Sequence, residues 1–584
     1  MLKTGPGGVR WCLASRQADA KLEGSGTMKT RREFLTSLVA AGAMSLVAAC
    51  GGAASGPAAS GPTAAPKPAG TTAAGVPAGG AAATTAPAQA ASKPAAAGGS
   101  ITFVLENDVI DFDPMRSRAF VDRNAHYQIY DSLVTVDPKG KIIPSLAEKW
   151  DTSQDGKTVT FTLRKDVKYH DGSAFDAESV KWNLDRYRNT QGSARTGELA
   201  PIDTIDVVDP ATVKVSLKTT FAPFLSLLVD RAGMMVSRKV VEAQGDDFTR
   251  KAFKAGTGPF VLTEAVKDDH ITLEKNPDWW GKDQAGNRLP FLDKITIKPI
   301  TNTDVRLTNV RTGDAHISNN IGTKDVATIK NDSTLVYQEV PGLAFNSLIP
   351  NMKEGYLFNE GRYVKAVSMA IDRQELLQKA YFGIGTVGYG TIAPPHFAYD
   401  ANFKPFEKPD PDGAKQLVQQ VGKGPLAFEF LVSSGDPVTL QIAQLIQAQL
   451  RKADIDAQIT QLEFAQILKV QDDHTFKGMT LIGWSGRIDP DGNTYDHVYT
   501  GRPNNDSGYS NADVDKLMDQ ERATNDEAQR KDAFRKAEQI YVVDSPARVW
   551  FRFSVAQLLT AKQLQGLEPY PDQIPRFQYA SLQK

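Results

Sequence analysis

The sequence predicts an α/β fold spread over more than one domain, and three observations carry that expectation. At 584 residues the chain is longer than a single hydrophobic core sustains, which points to two or three domains. Residues 144–187 read as a β-hairpin followed by a capped helix. Residues 302–453 alternate strand-like and helix-like runs, the order expected of helices packed on a sheet.

Taken in order, the chain opens on an address. Thr30-Arg31-Arg32-Glu33-Phe34-Leu35 leads into an uncharged run ending at Ala49. That run is too short and too rich in Ala and Gly for a membrane span, and its basic flank is N-terminal, so residues 28–50 read as a signal peptide. Arg31 and Arg32 resemble the pair of a twin-arginine export signal. Leu46-Val47-Ala48-Ala49-Cys50 resembles a lipobox, in which Cys50 is acylated and becomes the first mature residue. Met28 sits where a start is expected, which leaves residues 1–27 as a mis-assigned start. Residues 51–99 are almost entirely Ala, Gly, Pro, Thr and Ser. With nothing to bury, they read as a disordered linker. Its span is roughly 40 Å r.m.s., at about 5–6 Å × √n.

The first strand is expected at residues 101–105. Asp108, Asp111 and Asp113 follow it at short spacing, but the loop lacks the Gly and terminal Glu of a calcium site. Asp155-Gly156 is a hairpin turn signal, and residues 158–163 alternate polar and apolar as a half-buried strand does. Asp176 caps the next helix, with Val180, Leu184 and Tyr187 on one face. A second hairpin turns at Asp209-Pro210, and residues 223–228 read as a short buried helix. Gly256-Thr257-Gly258-Pro259-Phe260 leads into strands at 261–263 and 270–275; no Lys-Ser/Thr follows, so it is a tight turn rather than a phosphate cradle. Residues 302–313 are helical and end at Gly313. Asp372-Arg373-Gln374-Glu375 has capping-box spacing. Amphipathic helices follow at 410–422 and 437–453, while Asp489-Pro490 reads as a turn.

Several spaced stretches carry a family resemblance. Leu146-Ala147-Glu148-x-Trp150, Asp155-Gly156, Phe161-x-Leu163-Arg164, His170-Asp171-Gly172 and Ala177-Glu178-x-Val180 resemble the signature of the family 5 extracellular solute-binding proteins, the dipeptide, oligopeptide and nickel receptors of ABC importers. GTGPF at 256–260 with LEKNPDWWG at 273–281, Arg362 through Arg373, Gly483–Asp491 and Asn505–Leu517 are similar to the same family, so the likeness covers residues 99–584. It implies a two-lobed periplasmic-binding-protein type II fold, with an extra subdomain inserted in the N-terminal lobe and two hinge crossings. Carried onto this chain, the N-terminal lobe is 100–142, 251–343 and 548–584, the subdomain is 143–250, and the C-terminal lobe is 344–547. The crossings fall near 343–347 and 548–553, a short helix beneath the cleft falls within 128–137, and Phe345 and Asn346 line the hinge floor.

The resemblance further implies a monomer, tethered through Cys50 to the outer face of the cell membrane, that closes on a peptide or other small molecule and is recognised closed by ABC permease subunits. No cofactor is implied. Peptide-binding members carry an Asp three residues after the Trp that matches Trp484, and it takes the ligand's ammonium. Here that position is Arg487, which suits a carboxylate or phosphate. Asp489 is the nearest acid for an ammonium. Trp484 and Tyr389 are candidate pocket walls, each also consistent with core.

Other classes find little support. Lys+Arg of 67 against Asp+Glu of 68 leaves no basic field for nucleic acid. Cys12 and Cys50 are the only cysteines, which excludes a disulfide framework and any multi-Cys metal site. No His-Glu-x-x-His or Gly-x-Ser-x-Gly appears and the seven histidines are scattered, so neither a catalytic residue nor a metal ligand set is assigned. A nickel or metal-complex receptor of the same family and an exported hydrolase stand as the alternatives.

Overall fold

The computed structural model describes residues 98–422 and 425–583. Arg31, Arg32, Cys50 and nearly all of the expected linker lie outside the described residues. Within them the predicted local signals set the elements. Strands Ala147–Thr152 and Thr158–Leu163 pair across the Asp155-Gly156 turn, where Gly156 has φ +67°. Val159, Phe161 and Leu163 are buried while the residues between them are not. Asp176 accepts from Ser179 N in a full capping box and opens helix Ala177–Asn189. Asn302 caps Thr303–Thr312, which ends on left-handed Gly313. Asp372 caps Arg373–Lys379 through Glu375 N.

One eleven-stranded sheet runs through the molecule. Its order is Ile455–Leu462, Leu426–Ser433, Met479–Trp484, Leu335–Pro350, Val549–Ala561, Ile317–Ser318, Ser100–Leu105, Lys294–Pro299, His270–Lys275 and Phe260–Val266, with Thr386–Val387 added beside Val549–Ala561. The long pair at its centre belongs to both halves. Residues 345–350 of the first long strand pair with Met479–Trp484, and residues 335–341 lie opposite 555–561, which continues to Ile317–Ser318. Between those stretches the register breaks: Pro341 faces Val555 but Phe345 faces Phe553. Three residues therefore oppose Ser554 alone, a bulge that bends and twists the pair. Gly342 sits in it, where a Cβ would meet Ser554 O at 2.8 Å. These strands cross from one half of the sheet to the other, and among the described residues they are the path through which its two ends are continuously paired.

Each half has its own core. Phe103, Ile129, Leu262, Ile295 and Phe577 fill one; Val364, Phe430, Ile446 and Phe551 fill the other. A separate four-stranded antiparallel sheet from residues 147–217 packs against helix Ala177–Asn189 through Phe161, Val180, Leu184 and Val215. Each such fully buried side chain contributes roughly 1.5–3 kcal/mol.

Two expectations are corrected. The helix expected within 128–137 is Phe120–Ile129, and it stops where that stretch begins. Tyr130 and the strand Val134–Val136 follow, an aromatic and β-branched run that favours extended backbone. Asp489-Pro490 is a helix start rather than a turn: Asp489 accepts from Asp491 N, Pro490 is the first helical residue, and Pro490–Val498 follows. Proline is well placed there because the first helical N–H has no partner in any case.

Candidate binding site

Strand Met479–Trp484 delivers Trp484 to the break between the two halves. The chain then turns at Gly486, φ +80°, where a Cβ would lie 2.5 Å from the Leu343 carbonyl carbon of the first crossing strand. Only glycine meets both demands. Asn493, buried on the following helix, pins this turn: its Oδ1 accepts from Trp484 Nε1 at 3.1 Å and Arg487 N at 2.7 Å. Its Nδ2 donates to Leu343 O at 2.9 Å and Thr391 O at 3.1 Å. One side chain thus ties the tryptophan, the arginine, the crossing strand and the loop beyond it. Sequence reading passed over Asn493; its position four residues after a helix cap was the available signal.

Arg487 lies over the Trp484 ring, 4.6 Å from its centroid. Its Nη1 donates to Ser485 Oγ at 3.3 Å and Gly486 O at 2.8 Å. Among the described residues no carboxylate pairs with it. Burial lowers its pKa, and the Arg123 guanidinium lowers it further while Asp230 and Glu198 oppose. Arg123, Arg195, Asp230 and Glu198 all belong to the other half of the molecule, so the two halves bring their charges together here.

That opposing cluster stands on helix Phe120–Ile129 and the segments around 195 and 231. Arg123 Nε lies 3.1 Å from Asp230 Oδ2, and Arg195 Nη1 2.7 Å from Glu198 Oε1. Arg231 Nη1 donates to Ser117 O at 3.0 Å. Although burial opposes it, Arg123, Arg231 and Arg487 together hold the Asp230 carboxyl far below the usual carboxylate range. Four guanidinium groups meet Asp230 and Glu198, and Arg123 Nη2 also lies 3.7 Å from Asp572 Oδ2, which Arg576 holds at 2.6 Å. Arg123 Nη1, Arg195 Nε and Arg231 Nε are buried without a hydrogen-bond partner. An unsatisfied buried donor costs about 1–3 kcal/mol. The arrangement therefore favours an anion with several acceptor oxygens. Arg123 stands on a helix buried all round, and the others come from separate segments, a pattern that local periodicity does not flag.

The halves close on one another around this point. Ala222 N donates to Arg522 O at 2.9 Å, the Arg522 guanidinium lies 5.3 Å from the Phe221 ring, and Ile488 packs against the core that contains Phe161.

The other expected site residues separate. Phe345 is 1% exposed and packs edge-on against His497, which in turn meets Trp484. Strand alternation sends Asn346 to the opposite face, where its Oδ1 accepts from Arg552 Nη1 at 3.2 Å. The two cannot line one floor; Phe345 is core. Both oxygens of Asp489 are engaged by the Arg530 fork at 2.7 and 2.9 Å, so this carboxylate is occupied within the fold rather than offered to an ammonium. Tyr389 lines a different cavity, with Tyr399, Phe403, Phe553 and Glu538.

Glu538 in that cavity carries a pH consequence. Burial, with a contribution from Asp400, pushes its carboxyl up to about 8. An unfolded glutamate titrates near 4.3. The folded chain holds this proton more tightly, so the associated stability is full below the unfolded value and is lost as pH rises toward 8. Glu538→Gln is expected to unfold at a higher temperature than the parent at pH 8.5, a gap on the order of a few kcal/mol at 1.36 kcal/mol per pKa unit, and to lose most of that advantage near pH 4.5. Calorimetry across this range checks it; a constant gap refutes the assignment.

The model of the bacterial extracellular solute-binding proteins, family 5 Middle, matches residues 141–506, more than half of the chain. The chain belongs to this family. The glutathione-binding protein GsiB of Salmonella choleraesuis is 29% identical to this solute-binding protein over 493 residues, 82% of this chain and 94% of that one. Among solved structures, the periplasmic binding protein DppA of Helicobacter pylori, in complex with peptide STSA, is 26% identical with a TM-score of 0.74, covering 84% of this chain and 99% of that one. NikZ of Campylobacter jejuni, in complex with Ni(L-His), shares the fold at 20% identity and a TM-score of 0.71, covering 81% and 97%. Family 5 proteins are ABC-transporter substrate-binding proteins for peptides and other small ligands rather than enzymes, and this solute-binding protein has their two-lobed type II architecture. Among its described residues no helix is long and apolar enough to cross a membrane.

Proposed function

We propose that this solute-binding protein is a lipoprotein, anchored through Cys50 after export on the Arg31-Arg32 signal, that captures a small organic solute bearing carboxylate and delivers it to an ABC permease by closing about its crossings. Residues 143–250 act as an inserted subdomain in this reading. The observation that carries it is Arg487, a guanidinium without a carboxylate partner, facing Arg123, Arg195 and Arg231 across the break between the halves. Bidentate guanidinium–carboxylate contacts supply both charge and direction. Trp484 forms the wall beneath Arg487, and closure removes water from the pair, which strengthens every charged contact inside. A peptide whose acidic groups outnumber its ammonium fits; the glutathione specificity in the name of the Salmonella relative is one such chemistry.

Mass spectrometry of small molecules released when the purified protein is denatured tests this. A carboxylate-bearing compound at near-stoichiometric yield is expected. Recovery of stoichiometric nickel, or of a purely cationic compound that competes with no acid, would replace the anionic reading. Mass analysis of the protein extracted from membranes tests the anchor, with an acylated N-terminal Cys50 expected.

A further inference from the structure

The cavity lined by Tyr389 has a volume of about 450 Å³, and neither Trp484 nor Arg487 lines it. Its wall is the loop through residues 385–407, closed by Phe553 of the second crossing strand and by Glu538 at the end of helix Glu527–Glu538. Tyr389, Tyr399 and Phe403 give it three half-buried aromatic rings, and Tyr399 is held edge-on against Phe553 at 6.4 Å. Its charged lining is Asp400, Glu407 and Glu538 against Lys404. The lysine ammonium lies 3.8 Å from Glu407, at the exposed rim. Glu538 is 6% exposed, and among the described residues no lysine or arginine forms an ion pair with it. Gly390 presses its backbone on the carboxyl so closely that a Cβ there would collide with Oε1, which fixes the group's direction.

We propose that this cavity is a second binding site, for a small organic cation carrying an ammonium or guanidinium group, held between the rings of Tyr389 and Tyr399 and the carboxyl groups of Glu538 and Asp400. Aromatic faces attract cations most strongly where water is excluded. A buried carboxyl lacking a cationic partner is the complementary half of such a site. The lining is acidic where the cleft around Arg487 is basic, so the two sites select opposite charges and this inference is independent of the anionic solute. Burial and Asp400 raise the Glu538 carboxyl to about 8, so a cation bound at neutral pH displaces a proton. Asp400, Tyr399 and Tyr541 are the titratable groups that interact with it, and the buried Arg373 guanidinium lies 5.7 Å from the Tyr389 ring centroid, which leaves the other face of that ring for the ligand.

Isothermal titration calorimetry of the full mature chain with choline chloride and with agmatine at pH 7.5 tests the site. Saturable one-to-one binding of at least one amine is expected, with an enthalpy that changes with the ionisation heat of the buffer as a released proton requires. Tyr389→Ala and Glu538→Gln each weaken it by about tenfold or more, while Arg487→Ala leaves it unchanged. Tyr389 is half-buried and Glu538→Gln is expected to be the more stable protein at this pH, so folding does not obscure the comparison. Absence of saturable binding by both amines at millimolar concentration overturns the proposal. So does binding that survives both variants, or that disappears with Arg487→Ala, which would place the cation in the cleft.

Discussion

Arg487→Ala is expected to weaken binding of a carboxylate-bearing solute by about 100-fold or more and to leave the thermal midpoint nearly unchanged. Losing one member of a buried, hydrogen-bonded charge pair costs a complex about 2–5 kcal/mol, and 1.4 kcal/mol is a factor of ten. The free protein loses little by comparison. Among the described residues the Arg487 side chain makes no ion pair, its two side-chain hydrogen bonds go to its immediate neighbours Ser485 and Gly486, and the turn that positions it is held by Asn493 instead. Its departure relieves repulsion from Arg123 and Arg195 while forfeiting attraction to Asp230 and Glu198, and these changes offset one another. Titration of both proteins with the solute identified by mass spectrometry, beside a calorimetric scan, separates the two effects. Retained affinity with a large fall in the midpoint would make Arg487 a structural residue and remove the anionic reading.

Arg530→Ala is expected to be the most destabilising single change near the site, by about 3–5 kcal/mol. Arg530 donates to both oxygens of Asp489 and, through Nε and Nη2, to Glu521 Oε2 at 2.9 and 2.8 Å. Glu521 is fully buried and Asp489 nearly so. Without the guanidinium, two carboxyl groups remain in a dry setting beside Asp491, which is itself held by Arg522 at 2.7 and 3.0 Å. Burial, and then Asp491, already push the Glu521 carboxyl well above the ordinary range, so the cluster has no spare positive charge. Because Asp489 caps the helix that carries Asn493, affinity for the solute falls as well. The double change Asp489→Asn with Arg530→Met removes charge from both sides and is expected to cost clearly less than Arg530→Ala alone. Urea unfolding followed by circular dichroism decides it; additive losses would show that the pair is not coupled.

Legibility in the sequence tracked locality. Asp155-Gly156, Asp176, Asn302, Gly313 and Asp372 all act within a few residues of themselves, through turn geometry and capping, and each was readable in place. Arg487 and Trp484 were also readable, because their neighbours carry a family wording that fixes them at a strand end. Asp-Pro at 489–490 serves turns and helix starts alike, and only the chain that follows distinguishes them. A shared floor for Phe345 and Asn346 fails because a strand sends successive side chains to opposite faces. Helix Phe120–Ile129 gave no amphipathic signal, since polar Asp122, Arg123, Asn124, His126 and Gln128 are all buried by tertiary contacts.

The sequence by itself determined the α/β class, the family, the local caps and turns, and the sign of the charge that Arg487 brings. The tertiary structure alone decided what that charge faces. Arg123, Arg195 and Arg231 lie between 256 and 364 residues before Arg487 in the chain, and no local pattern links such distances. They meet because two long strands cross from one half to the other with a bulge between them, which brings the halves face to face at that level. Coulomb interaction depends on separation in space, so the site's character is a property of the fold.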